Sequence, residues 1–186
     1  MARKVTAPFT LTESLTLDTL DAFAQDTIDI ASYISVGSRQ ALQVHKVDFV
    51  LQSTDANDVV HAASSAFSAA FAAGEGVEIL LQLTDLNRGE VVLASDSALI
   101  ASGSTRTLPT SGPTHSNDLY PDNYRGPEGR TIVNDQIYFG GYFNTGGTAI
   151  NTDWKLQLSV RIECQIVELS TADWMAIAIQ STAADN

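Results

Sequence analysis

The chain has 186 residues with one cysteine, and 10 Lys and Arg against 22 Asp and Glu give a formal net charge of −12. One cysteine excludes an internal disulfide framework and a multi-cysteine zinc site, and the charge argues against a nucleic-acid binder, which needs a concentrated basic surface. With 44% hydrophobic residues the composition is globular, and no apolar run reaches the ~18 residues of a membrane-spanning helix.

Met1-Ala-Arg-Lys-Val-Thr6 has no apolar stretch behind its two basic residues, so no secretory leader is expected. Leu11 to Leu17 alternates Leu11, Glu13, Leu15 and Leu17 with Thr12, Ser14 and Thr16, which predicts a strand. Thr27 to Ile30 is a brief strand candidate, and Ala41 to Gln52 a longer one carrying Val44, Val47, Phe49, Val50 and Leu51. Val59 to Ala73 is Ala-rich and can turn Val60, Ala63, Phe67, Ala70 and Phe71 to one side, so a helix is expected there. Asp55, Asn57 or Asp58 can cap its start and Gly74 can end it. Gly76 to Thr84 and Glu90 to Ala94 read as further strands.

Residues 103–130 hold Gly103, Gly112, Gly126 and Gly129 with Pro109, Pro113, Pro121 and Pro127, and read as a long loop inserted at one end of a single domain spanning 1–186. Thr131 to Phe143 is apolar and aromatic, with Gly140-Gly141 suggesting a bulge or bend. From Trp154 to Ile166, apolar residues alternate with polar ones without a break, which demands a strand with one buried and one wet face. Ser170 to Ser181 closes the fold as a helix, with Ser170 and Asp173 forming a capping pattern in which Asp replaces the usual Glu. Seven or eight strands with no strand–helix alternation predict an all-β sandwich.

Few residues suggest chemistry. His45, His61 and His115 fall on different predicted elements, so no metal centre is assigned. Cys164 lies on the apolar side of its strand, where a thiol acts as a small hydrophobe. No Gly-x-Ser-x-Gly elbow is present, and neither Gly140-Gly141 nor Gly146-Gly147 has the ending of a phosphate loop. Asp18, Asp21, Asp26 and Asp29 read as solvated acids rather than a catalytic pair. Asp118, Asp122, Asn123 and Asp135 could offer oxygens to calcium, but without EF-hand spacing. Tyr120, Tyr124 and Arg125 carry the side-chain types that anchor protein contacts, and are the candidate subunit or receptor contact. The competing reading is that the tyrosines pin the loop to its own domain. Fifteen of the acids are Asp, and Ser and Thr together number 35. Such a surface suits a saline setting, and an ordinary acidic protein as well.

Two stretches carry a resemblance: Ile28 to Val50 (IDIASYISVGSRQALQVHKVDFV), a short strand and turn leading into a longer strand, and Trp154 to Trp174, a long strand passing to a terminal helix. In layout the chain resembles the small single jelly-roll major capsid proteins of sphaerolipovirus-like tailless icosahedral viruses with internal membranes. The resemblance rests on no diagnostic motif. It implies an all-β single jelly-roll sandwich with one or two short helices, one of them C-terminal. It implies a capsid subunit of the virion, with no catalytic residue, metal or cofactor. Its partners would be copies of itself and a second related coat protein. It would touch no nucleic acid directly and would stand near an internal membrane without spanning it. Two other readings compete. In a carbohydrate- or receptor-binding sandwich such as a fibre head or adhesin, Tyr120, Tyr124, Trp154 or Trp174 would form an exposed stacking platform. A hydrolase on the same scaffold would need acids or histidines converging in a cleft.

Overall fold

In the computed structural model the chain is described over residues 2–17, 22–67, 76–108, 112–116, 130–144 and 153–183. The organising element is the strand of strongest alternation. Here Leu156, Leu158, Val160, Ile162 and Cys164 are each 0% exposed, while Lys155, Arg161 and Glu163 point to solvent.

In chain order the strands are β1 (Arg3–Lys4), β2 (Phe9–Leu17), β3 (Phe23–Asp29), β4 (Gln40–Thr54), β5 (Val60–Ala62), β6 (Val77–Thr84), β7 (Leu99–Leu108), β8 (Gly112–Ser116), β9 (Arg130–Ile132), β10 (Gln136–Asn144) and β11 (Lys155–Glu168). A helix, α1 (Thr171–Ala183), follows β11. Short 3-10 turns occupy Ala31–Tyr33 and Ala63–Phe67.

Two antiparallel sheets face each other. One runs β2-β11-β4-β9, with β1 continuing the β2 edge along β11 and β5 pairing further along β4. The other runs β3-β10-β6-β7-β8. Setting aside the accessory β1, β5 and β8, eight strands remain, and they pair first with last, second with seventh, third with sixth and fourth with fifth. This is a long hairpin rolled over on itself: the jelly roll, with Greek-key crossings between its sheets. The principal core joins the inner faces, with Phe67, Phe139, Phe143, Leu42, Leu83 and Leu156 among its largest buried side chains. Phe67 and Phe143 stack at 5.5 Å.

A second apolar cluster lies on the other side of the first sheet. The register of β4 against β11 slips at Glu163/Cys164, leaving His45 as the extra residue on β4. Beyond this bulge Ala41 and Val167 lose contact with water and meet Leu169 and Trp174, with Ile177 beside them. So α1 folds back over the outer face of the sheet that precedes it, anchored by Trp174. Ser170 Oγ accepts the Asp173 backbone N–H at 3.1 Å and donates to the Asp173 carboxylate at 2.8 Å. That is the expected cap, with the shorter acid contacting the serine hydroxyl itself.

Several expectations are corrected. Val59 to Ala73 does not begin as a helix: Val60–Ala62 is strand β5 paired with Gln52–Thr54, followed by the 3-10 turn, and residues 68–75 lie outside the described residues. The expected loop at 103–130 begins as sheet, since β7 runs to Leu108 and β8 returns along it; residues 117–129 lie outside the described residues. Glu90 to Ala94 is not a strand but part of the connection from β6 to β7. Gly140-Gly141 makes no bulge, because β10 keeps continuous register on both sides. These glycines serve close approach instead. A Cβ on Gly140 would lie 2.5 Å from the Phe23 ring and 2.7 Å from the Ala24 carbonyl oxygen.

Candidate functional site

Among the described residues, the side chains singled out from sequence do not converge. His45, His61 and His115 lie on β4, β5 and β8. Cys164 is buried, and burial pushes its thiol up to about 11, with Glu163 adding a smaller push. That thiol is protonated at neutral pH and sits at 3.7 Å from the Phe9 carbonyl oxygen, which it can only weakly engage. Asp26 and Asp29 accept backbone N–H groups of Thr27 and Ala31. Asp18, Asp21, Gly146, Gly147, Asp118, Asp122 and Asn123 lie outside the described residues, as do the contact candidates Tyr120, Tyr124 and Arg125. Asp135 is exposed on a notch of about 220 Å³ shared with Asp85, Asn87, Asn134, Gln136 and Tyr138. Among the described residues no three His, Cys, Asp or Glu side chains gather in metal-binding geometry.

Two polar groupings that the sequence did not reveal hold the ends of strands. In the first, the Asp85 carboxylate, nearly buried at the end of β6, pairs with the Arg130 guanidinium at the start of β9. Arg130 also donates to the Ser97 carbonyl at 2.7 Å, and Asn134 Nδ2 donates to the Asp85 carbonyl at 2.7 Å. The connection between β6 and β7 is pinned again where Gln82 exchanges two hydrogen bonds with the Val92 backbone, at 2.7 and 2.8 Å. A carboxylate 45 positions before its arginine has no local signature.

In the second grouping Asp55 accepts the backbone N–H groups of Asn57 and Val59 at 2.9 and 3.0 Å, and its other oxygen lies 3.2 Å from His61 Nε2. The Val59 and Asn57 hydrogen bonds hold its carboxyl below the ordinary value of 3.8, and His61 contributes to the same lowering. His61 in turn packs against Trp154, ring centres 4.9 Å apart. Trp154 is half-buried against the core and Trp174 is buried, so neither stands as an open stacking platform.

The surfaces differ sharply. Across the outer face of the β2-β11-β4 sheet, Thr10, Thr12, Ser14 and Thr16 stand in register with Glu163, Arg161, Ser159 and Gln157, and these with Lys46, Asp48, Val50 and Gln52. Ser14 and Ser159 hydroxyls meet at 2.9 Å, and Lys46 pairs with Asp48 at 2.7 Å. The face is hydroxylated, and its Arg161–Asp48 and Glu163–Lys46 registers put opposite charges side by side. Edge strands β2 and β3 each carry an exposed acid in register with a buried core residue: Glu13 opposite Val160, and Asp26 opposite Phe139. A charge on the core-facing side of an edge strand opposes the addition of a further strand. Among the described residues, Val50 is the exposed large apolar side chain on the outer sheet face; the others stand on α1 (Met175, Ile179), between β1 and β2 (Val5), in the turn before β4 (Val36), in the β6–β7 connection (Leu93) and at the start of β5 (Val59, Val60).

No family model matches the chain, and no curated protein matches it. Among solved structures it is similar to a chain described as desmodium yellow mottle tymovirus, at 9% identity and a TM-score of 0.32, with 89% of this chain and 91% of that chain covered. The jelly-roll assignment stands on the strand registers of this molecule.

Proposed function

We propose that this chain is a structural virion protein, a capsid subunit that assembles with copies of itself into an icosahedral shell. The observation that carries the reading is the distribution of surface on the jelly roll. Its β2 and β3 edges are guarded by Glu13 and Asp26, its broad sheet face is mostly polar, broken among the described residues by Val50, and the most exposed apolar groups stand on α1, on the short strand β5 and in the strand connections. That is a rigid wall that meets its neighbours through its ends and its helix rather than by extending its sheets. Catalysis plays no part in it. The finer expectations belong to the same proposal: contacts through Tyr120, Tyr124 and Arg125, a second related coat protein, and a position above an internal membrane.

The charge supplies the test. Copies carrying −12 repel one another in dilute buffer, where the screening length is about 30 Å at 0.01 M, and much less at 1 M, where it is about 3 Å. Sedimentation velocity and electron microscopy across that range should show oligomers or particles growing with salt. A chain that stays monomeric from dilute buffer to molar salt, at high protein concentration, overturns the reading.

A further inference from the structure

We propose that α1 is a self-association element, its outward face docking on the same face of a second copy of this chain about a two-fold axis. This deepens the shell reading and rests on it in one respect, that the chain associates with itself.

The argument begins with composition. The helix reads TADWMAIAIQSTA, with neither Lys nor Arg, and its one acid, Asp173, is engaged with Ser170 in the cap. One side is used internally, where Trp174 is 7% exposed and Ile177 packs beside Ala41, Val167 and Leu169. A helix with one side to bury carries polar residues on the other. Here the other side presents Met175 and Ile179, one turn apart and 54% and 61% exposed, flanked by exposed Ala172 and Ala176. The turn bearing Val36, 73% exposed, is tied to the first turn of α1 by the Arg39 guanidinium, which donates to Thr171 Oγ1 at 3.2 Å.

Charge selects the occupant, and area sets how strong the contact is. The stripe offers no charge by which a basic or an acidic partner would be recognised, and an anionic membrane is repelled by a chain of −12. A second copy of α1 meets the stripe without burying a single charge. It is self-complementary, as a two-fold contact requires, and the two alanines allow helix axes to approach to about 8–10 Å. A 13-residue helix is about 20 Å long and about 10 Å wide, so the contact covers roughly 400 Å² over both copies, against about 1,200 Å² for a stable complex. The contact is therefore weak by itself and adds to others, as a contact repeated through a shell must.

The test pairs Met175→Asp/Ile179→Asp with Met175→Lys/Ile179→Lys, both at exposed positions. Far-ultraviolet circular dichroism, thermal melting and Trp174 fluorescence establish that each remains folded. In sedimentation equilibrium in molar salt the wild-type chain should associate, and each variant alone should need at least tenfold more protein to do so. At moderate salt, mixing the Asp and Lys variants should restore association as hetero-oligomers. If the wild type associates and the Asp variant matches it, α1 is not the contact, while the shell reading stands. If the wild type never associates, both fall. Wild-type binding to phosphatidylcholine vesicles, abolished in the Asp variant and unaccompanied by self-association, would make a lipid surface the occupant and overturn the proposal.

Discussion

Single residues here act through the space they leave or the bonds they terminate. Gly140 is fixed by the Phe23 ring and the Ala24 carbonyl, which stand where a Cβ would go. Gly140→Ala should lose about 1–3 kcal/mol by overpacking, measured by urea denaturation. Gly37→Ala is the control, because nothing lies within 4 Å of its added carbon. Asp55 carries a pH dependence whose sign follows from its partners. Hydrogen bonds from Val59 and Asn57 lower its folded pKa below 3.8, so its contribution is present above that value and fades as pH falls through the folded pKa. Asp55→Asn should flatten the acid limb of the stability curve below about pH 4, read by urea denaturation across that range. Cys164 behaves oppositely at the other extreme. Its folded pKa is raised from 9.0 to about 11, so its contribution is intact below pH 9 and is lost as pH rises toward the folded value. The same burial predicts that a thiol reagent at pH 8 labels Cys164 only at the rate of unfolding. Rapid labelling of the native protein would contradict it.

At the scale of elements, the periodic segments were legible and the cross-chain ones were not. β11 announced itself because its two faces differ in every residue pair from Leu156 to Cys164, and α1 because Ser170 and Asp173 bracket its first turn. The second half of β7, from Gly103 to Leu108, reads as loop because Ser, Thr and Gly supply no apolar period; it is held as strand by pairing along β6. β8 holds Pro113, tolerated because the strand is an edge. The apolar run Val91-Val92-Leu93 found no place in either sheet and lies where Gln82 grips Val92, a contact no local pattern encodes. The α1 docking face was open to view in principle: Met175 and Ile179 repeat at four residues on the side away from Trp174 and Ile177. The candidate contact Tyr120, Tyr124 and Arg125 had only residue type behind it. The Asp85–Arg130 pair shows what such long-range contacts hold. Both side chains are mostly buried, at 7% and 16% exposure, so removing one takes from the other the opposite charge it is paired with. Arg130→Met should cost about 3–5 kcal/mol, and the double change with Asp85→Leu appreciably less. A double-mutant cycle in urea measures both.

At the scale of the molecule, the rolled hairpin dictates how the chain must fold. Its first and last long strands pair, and Ser14 meets Ser159 across 145 positions of sequence. Closing so large a loop costs entropy before any contact repays it. Topologies dominated by such pairings fold in milliseconds to seconds rather than microseconds. The local pair β6–β7 closes far shorter loops, as does β8 returning along β7, so this corner should form first and β2 should dock last onto an existing β11. The two ends of that sequence can be separated kinetically. Leu15→Ala on β2, opposite Leu158, should speed unfolding and leave the folding rate nearly unchanged. Leu81→Ala on β6, facing Gly103 of β7, should slow folding by most of its equilibrium effect. Stopped-flow fluorescence of Trp154 and Trp174 reads both rates. Until β2 docks, the apolar side of β11 is uncovered along one edge, which is when a copy of the same strand could add wrongly. Glu13 and Asp26, each facing the core side of its edge strand, then have a kinetic use as well. Replacing both with Val should leave the native registers possible but raise the yield of thioflavin-positive aggregate during refolding. Equal aggregate yields in the variant and the wild type would show that these acids do not guard the edges.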